Sequence, residues 1–254
     1  MGVNPKLLRR SPLFADLPAA DVNAVAEMAG MRWFDRGDYL YRQGGHAENF
    51  YMIFDGAVKL SRVTPGGKAM VIDFRGPGHV VGGRAIVAEQ THVDDARALE
   101  DVLVASIPLG RAAELLSARP GAAISLARHL AGRLESREVK VAALSTKRVH
   151  QRLAAALLEL AQSLGAAVDG VTVINARLTQ AELAEWIGTT RETTSTLLNQ
   201  LRRAGIIDVE RRRIHLRNRP ALEAYGAIEE PPDDLGELKI PVTREEPPAL
   251  ARSA

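Results

Sequence analysis

LTQAELAEWIGTTRETTSTLLNQLRRAGIIDVERRRIHLRNRPALEAY, residues 178–225, decides the fold of the C-terminal part of the chain. Thr179-x-x-Glu182 has the spacing of a capping box, in which a hydroxyl and a carboxylate satisfy each other's backbone N–H groups, and it opens a helix over 180–187. Gly188 supplies a left-handed stop, and Thr189 or Thr190 caps a second helix running to about Arg203. Gly205 ends that helix. Two β-rich runs, 206–209 and 213–216, then flank a basic turn. Helix, glycine turn, helix and two-stranded wing together make a winged helix-turn-helix pattern. Leu183, Trp186, Ile187, Leu197, Leu198 and Leu201 recur at helical spacing and are expected in its core.

Upstream, 147–162 reads as an amphipathic helix with Val149, Leu153, Leu157, Leu160 and Ala161 on one face. Asp169-Gly170 marks a turn before a strand over 171–176. Residues 122–145 carry Ala123, Ala127, Leu130, Leu134, Val141 and Leu144 at three- and four-residue steps, with Arg137 filling the missing position. Such a stripe suits a dimer seam, and equally a helix packed on its own sheet. Before Pro108 the chain is strand-like: 39–43, 50–54, 58–63, 70–74 and 102–107 are short β-rich runs between glycine-rich turns. Asp55-Gly56 between two apolar runs signals a hairpin. Many short strands at this spacing predict a sandwich or barrel. Gly76-Pro77-Gly78 is not followed by a helix where a dinucleotide-binding loop needs one.

The composition narrows the function. With 46% apolar and 25% charged residues among 254, the chain can bury two ordinary cores. It has no Cys, which excludes disulfides, thiolate zinc sites, Cys-held iron–sulfur clusters and Cys nucleophiles. Six His (His46, His79, His92, His129, His150, His215) show no paired metal-ligand spacing, so no metal is expected. No stretch reaches the roughly 18 apolar residues of a membrane span, and the start of the chain lacks the apolar core of a signal peptide; a cytoplasmic protein with no membrane partner is expected. No P-loop, G-x-S-x-G or H-E-x-x-H motif is present, so no catalytic residue and no enzyme is expected. The formal charge of +2 conceals an uneven distribution. Residues 227–254 hold seven acidic and three basic groups with five of the 13 prolines, the composition of a disordered acidic tail. The other residues carry +6, and seven arginines crowd 202–219. Clustered arginine serves a nucleic-acid surface or simply a solvated face.

Three segments together resemble the Crp/Fnr family of bacterial transcription regulators: RGDYLYRQGGHAENFYMIFDGAVKL (36–60), the long helix after the β region, and GTTRETTSTLLNQLRRAGII (188–207). The resemblance covers about residues 13–222. It implies an α+β architecture with a cyclic-nucleotide-binding-like β-roll (a jelly roll) over 1–110, a dimerisation helix and hinge over 111–146, a winged helix-turn-helix over 147–226 and a tail over 227–254. It further implies a homodimer on a palindromic double-stranded DNA operator, with RNA polymerase as a second partner, the 163–170 loop being a candidate contact. Arg191 and Glu192 occupy the base-reading positions, with Ser195 one turn on and Thr196 where many members place a second guanine-reading Arg. Arg donates two hydrogen bonds to guanine and Glu accepts one from cytosine, whereas Thr discriminates less. Thr179, Gln180, Thr190, Arg202, Arg203, Arg211, Arg212 and Arg213 are candidate phosphate contacts. The seam is expected at Ala127, Leu130, Leu134, Val141 and Leu144.

The resemblance weakens at the effector pocket, expected around Gly82, Gly83, Arg84, His92, Arg97, Arg137 and Glu138. In cyclic-AMP-binding members a glutamate follows the glycine and an Arg-Ser pair holds the phosphate. Here Gly83 replaces the glutamate, and His92-Val93 stands near the Arg-Ser position. Arg137 and Glu138 replace the polar residues that meet adenine. Ordinary cyclic-AMP sensing is therefore not expected. His92 is the one pocket His able to ligate haem. A regulator without any ligand fits as well, and a cyclic-nucleotide- or haem-responsive member with an altered pocket and a non-DNA signalling adaptor are the alternatives.

Overall fold

The structure, a computed structural model, describes residues 2–86 and 91–230. Helices α1 (Pro5–Leu8), α2 (Pro12–Ala15) and α3 (Ala19–Met28) precede strands β1 (Gly30–Phe34), β2 (Tyr39–Tyr41), β3 (Asn49–Asp55), β4 (Val58–Val63), β5 (Ala69–Arg75), β6 (Val80–Val81), β7 (Asp95–Ala98) and β8 (Val102–Pro108). These form two four-stranded antiparallel sheets, β1-β8-β3-β6 and β2-β7-β4-β5, the expected jelly roll. The run Phe50–Phe54 is apolar at every position because β3 is buried on both faces. Tyr51 and Ile53 face the opposing sheet, where Val58, Leu60 and Ala96 lie. Phe50, Met52 and Phe54 face the helices, against Leu8, Val22 and Leu126.

Asp55-Gly56 is not a hairpin. The strands it joins, β3 and β4, belong to different sheets, and only Gly56 has a positive φ (86°). A Cβ at Gly56 would lie 2.3 Å from the Asp101 carbonyl oxygen, so glycine serves a corner where two chain segments press together.

After the roll come α4 (Leu109–Ala118), α5 (Pro120–Thr146) and α6 (Val149–Leu164). The unit expected at 111–146 is thus two helices broken at Arg119, whose φ and ψ are non-helical before a proline. Leu109 and Ala112 of α4 belong to the core of the roll. At 27 residues, α5 is about 40 Å long. Its exposed face carries Ile124, Ala127, Leu134 and Val141. Leu130 departs from the expected seam: it is half-buried against the roll. Leu144 is half-exposed, and its Cδ2 crowds Gly188, where a Cβ would lie 2.9 Å away.

The C-terminal domain adds β9 (Gly165–Val168), β10 (Val171–Ile174), α7 (Gln180–Ile187), α8 (Arg191–Arg203), β11 (Ile207–Glu210), β12 (Arg213–Leu216) and α9 (Arg219–Ala227). Its sheet runs β11-β12-β10-β9, so part of the presumed loop at 163–170 is strand β9, turned by Asp169 and Gly170, both at positive φ. Leu157, Leu160, Leu183, Leu201 and Ile214 build the core, which also takes in Val71, Phe74 and Leu99 from the roll. The boundary at 227 moves: α9 includes Ala227, the Ile228 carbonyl accepts from His150 Nε2 and Gln151 Nε2 at 3.0 Å, and Glu230 pairs with Arg148. The rest of the expected tail, 231–254, lies outside the described residues.

Candidate functional site

Both caps of the helix-turn-helix have their expected chemistry. Thr179 Oγ1 accepts from the Glu182 N–H at 3.1 Å, and Glu182 Oε2 accepts from the Thr179 N–H at 2.9 Å. Gly188, at φ +69°, ends α7. Thr190, not Thr189, caps α8 by accepting from the Thr193 N–H at 3.1 Å. The residue three beyond the cap is therefore Thr193, and Glu192 is not drawn into a capping box. Among the described residues the Glu192 carboxylate has no hydrogen-bond or ion-pair partner. Thr194, Leu198 and Leu201 bury one face of α8, leaving Arg191, Glu192 and Thr196 exposed and Ser195 half-exposed. The Thr196 hydroxyl donates to the Glu192 carbonyl at 3.0 Å, so its proton is committed to its own helix.

The candidate phosphate contacts divide. Arg203, Arg211 and Arg212 are exposed, with no ion pair among the described residues, and Thr190 and Gln180 start their helices beside free N–H groups. The Thr179 hydroxyl is instead occupied, donating to Glu182 Oε2 at 2.9 Å. Arg202 lies 3.6 Å from Asp208. Arg213 turns towards the roll, 3.6 Å from Glu100. At the wing tip Arg211 and Arg212 have φ of 49° and 66°, consecutive left-handed residues in a two-residue turn that usually takes Asn-Gly. Each costs roughly 1–2 kcal/mol, and the turn sets two guanidinium groups in solvent at the tip of the wing.

This domain is docked on the outer face of β4 and β5. Lys59 and Phe74 are cross-strand partners there, and they meet Glu182 and Trp186, one turn apart on α7. Lys59 Nζ lies 2.7 Å from Glu182 Oε1, both side chains only 16% exposed. The Phe74 and Trp186 rings meet edge to face at 5.0 Å, and Lys140 of α5 lies 4.5 Å from the Trp186 ring centre. In the turn between β7 and β8, the Glu100 carboxylate accepts from the Arg177 N–H at 3.0 Å while also facing Arg213.

A cavity of about 210 Å³ opens between the roll and α5. Gly82, Gly83, Arg84, His92 and Arg137 line it as expected. Arg97 does not: its Nε donates to the Gly37 carbonyl at 3.0 Å and its guanidinium lies beside Tyr39. Glu138 points into solvent, one residue round the helix from Arg137. His92, the candidate for the haem alternative, is buried in a stack on Tyr41, with ring centres 3.7 Å apart. Burial, then His46, holds its pKa below the usual histidine range. Gly82 fits under that stack because a Cβ would be 3.3 Å from both rings.

Sequence reasoning missed Arg62, Asp94, His129 and Arg133, which also line the cavity. Arg62 follows Val58 and Leu60 on the inward alternation of β4, and His129, Arg133 and Arg137 recur every four residues on α5. Both spacings were available signals. Burial pushes His129 down to about 4, with Arg133 and Arg75 adding to it. Burial and the Arg75 and Arg137 charges push Arg133 down to about 10. Burial raises the Asp94 carboxyl, against the opposing effect of the Tyr41 hydroxyl, which donates to it at 3.1 Å.

A two-sheet roll with a lateral cavity, joined through a long helix to a winged helix-turn-helix, defines a DNA-binding protein with an attached cavity-bearing β-roll. Residues 31–119 match the cyclic nucleotide-binding domain and 151–225 the Crp-like helix-turn-helix domain. The chain is 30% identical over 192 residues to the global nitrogen regulator of Synechocystis, spanning 74% of this chain and 85% of that one. It is 27% identical over 205 residues to the CRP-like cAMP-activated global transcriptional regulator of Mycobacterium tuberculosis, spanning 81% and 92%. Among solved structures it is similar to FixK2 from Bradyrhizobium japonicum, with a TM-score of 0.68 at 27% identity over 80% of this chain and 99% of that one. The chain belongs to the CRP/FNR family: it is a transcription regulator with a DNA-binding helix-turn-helix, and not an enzyme. No described helix is long and apolar enough to cross a membrane.

Proposed function

We propose that this chain acts in the cytoplasm as a homodimer on a palindromic operator, with Arg191 and Glu192 reading bases and the sensor domain responding to something other than ordinary cyclic AMP. The observation that carries the DNA reading is the exposed first turn of α8. Thr190 and Thr193 satisfy the cap between themselves, leaving the Glu192 carboxylate and the Arg191 guanidinium available to base edges. Ser195 completes that face, and Thr196 predicts a half-site with one loosely specified base pair. Thr190, Gln180, Arg203, Arg211 and Arg212 supply phosphate contacts, joined by Arg202 and Arg213 when their carboxylate partners let go. Ile124, Leu134 and Val141, each more than half exposed, support α5 as the seam. RNA polymerase is the second partner, and the exposed strand β9 is the proposed contact.

Against ordinary cyclic AMP stand Gly83 in place of the ribose-binding glutamate and His92 and Val93 in place of the phosphate-binding pair. The experiment is selection of duplexes from random DNA, followed by salt-dependent binding of the protein and of Arg191→Ala. The expected result is a two-fold-symmetric site with a fully specified guanine–cytosine pair, on which Arg191→Ala loses roughly tenfold or more. An Arg191→Ala variant that keeps the parent protein's affinity for the selected site and its preference for that site over random DNA would overturn the assignment.

A further inference from the structure

We infer that the cavity between the β-roll and α5 binds a compact dianion, gripped by Arg62 and Arg84 from the roll and by Arg133 and Arg137 from the helix. The inference rests on reading this domain as the sensor, and names what it senses. Four arginines line one cavity of about 210 Å³. A guanidinium carries five N–H donors, yet among the described residues Arg133 makes one long bond, 3.5 Å to the Val80 carbonyl. From α5 and β5 the like charges Arg75 and Arg137 act on it most, only partly opposed by Asp73, which is already paired with Arg75. Asp94 is the one carboxylate lining the cavity among the described residues. It is buried and accepts from the Tyr41 hydroxyl, and one carboxylate cannot balance four cations. Arg84 and Arg137 are exposed and Arg62 donates only its Nε, to the Val93 carbonyl at 2.9 Å, so all keep donors for a ligand, and an anion would relieve the repulsion among the four.

Chemistry and shape narrow the ligand. The cations come from two opposite walls, so a molecule bearing two anionic groups, or one doubly charged group, is matched on both sides at once, whereas a cyclic phosphodiester brings a single charge. The Tyr41–His92 stack occupies space within the lining. Guanidinium recognises carboxylate and phosphate alike through paired N–H donors, so the class is the dianion, from either source. Because two of the four arginines sit on α5, which also carries the apolar stripe and Lys140 against Trp186, ligand binding acts directly on the element joining both domains.

The test uses the full-length protein in thermal-shift and calorimetric titrations with succinate, inorganic phosphate and cyclic AMP, each against sodium chloride at matched ionic strength. Saturable stabilisation by succinate identifies a carboxylate ligand and by phosphate a phosphoryl one; Arg133→Met and Arg137→Met should each weaken it about tenfold or more. The unliganded protein supplies a second readout. Arg133→Met should raise its melting temperature, because an uncompensated cation is removed while the methylene packing stays. A fall in melting temperature for Arg133→Met, tighter binding of cyclic AMP than of either dianion, or no saturable effect from any dianion would overturn the inference. DNA binding by Arg133→Met in the absence of ligand is measured separately, so failure here is distinct from failure of the DNA reading.

Discussion

The Lys59–Glu182 contact between the two domains can be isolated by a double-mutant cycle. The atoms are 2.7 Å apart and both side chains are 16% exposed. At an effective dielectric constant of about 20, the gross attraction is about 6 kcal/mol. Desolvating both groups offsets much of it, leaving the roughly 1.5–3 kcal/mol typical of a charge-assisted hydrogen bond. Glu182→Gln is the informative partner variant. Its amide oxygen still accepts from the Thr179 N–H, so the cap of α7 survives while the ion pair is lost. Unfolding in urea of the parent, Lys59→Met, Glu182→Gln and the double variant should give a coupling of about 1.5–3 kcal/mol. The pH dependence follows. Burial alone would raise the Glu182 pKa, but the Lys59 bond and the Thr179 N–H outweigh it and hold the folded value below the usual carboxylate range. The coupling is therefore complete above the unfolded pKa of about 4.3 and is lost as pH falls through the lower folded value. A coupling under about 0.5 kcal/mol at neutral pH, within the range of exposed pairs, would refute the docking contact.

Arg212→Gly relieves a left-handed non-glycine residue (φ 66°) and should stabilise the protein by roughly 1 kcal/mol, while lowering the logarithmic salt slope of DNA binding by about one; calorimetry and salt titrations check the two halves separately. Gly165→Ala should destabilise by about 3 kcal/mol or more in urea, because its Cβ would lie 1.9 Å from the Ala161 carbonyl oxygen, a backbone atom that cannot swing away. With its folded pKa held at about 4, His129 binds a proton more readily in the unfolded chain, so it erodes stability as pH falls from about 6.5 towards that value. His129→Gln should make that decline shallower in melting curves recorded across the range, and an unchanged slope would count against a buried neutral imidazole.

Local chemistry made the DNA-binding end legible. Thr179, Glu182, Gly188 and Gly205 act within a few residues of themselves, and the ends of α7 and α8 fall where these residues place them. Contacts between distant segments were not legible in this way. Gly56 looked like a hairpin glycine because its reason for being small, the carbonyl of Asp101, lies 45 positions along the chain. Leu130 matched the seam spacing, but spacing does not say which flank of α5 the roll covers. The pocket was legible only in part: Gly82, Gly83, Arg84, His92 and Arg137 line it, and Arg97 and Glu138 do not. Within 78–99 the glutamate and the Arg-Ser pair of cyclic-AMP binders are replaced, while Arg62 and Arg133, which add to Arg84 and Arg137 in the cavity, lie outside that stretch. Arg97 was near in sequence and is pinned elsewhere by the Gly37 carbonyl.

Glu100 has a thermodynamic consequence. Its carboxylate occupies the Arg177 N–H and faces Arg213, groups that belong to the DNA-binding domain. A DNA phosphate drawn to Arg213 competes with the β-roll carboxylate of Glu100 for its guanidinium. An operator that recruits Arg213 weakens that pairing, and a ligand that shifts the β7–β8 turn changes the free energy of the exchange. By linkage the effect runs equally in both directions. The affinity for the proposed cavity ligand, measured with and without operator DNA, therefore reports on the same carboxylate as the operator affinity measured with and without ligand.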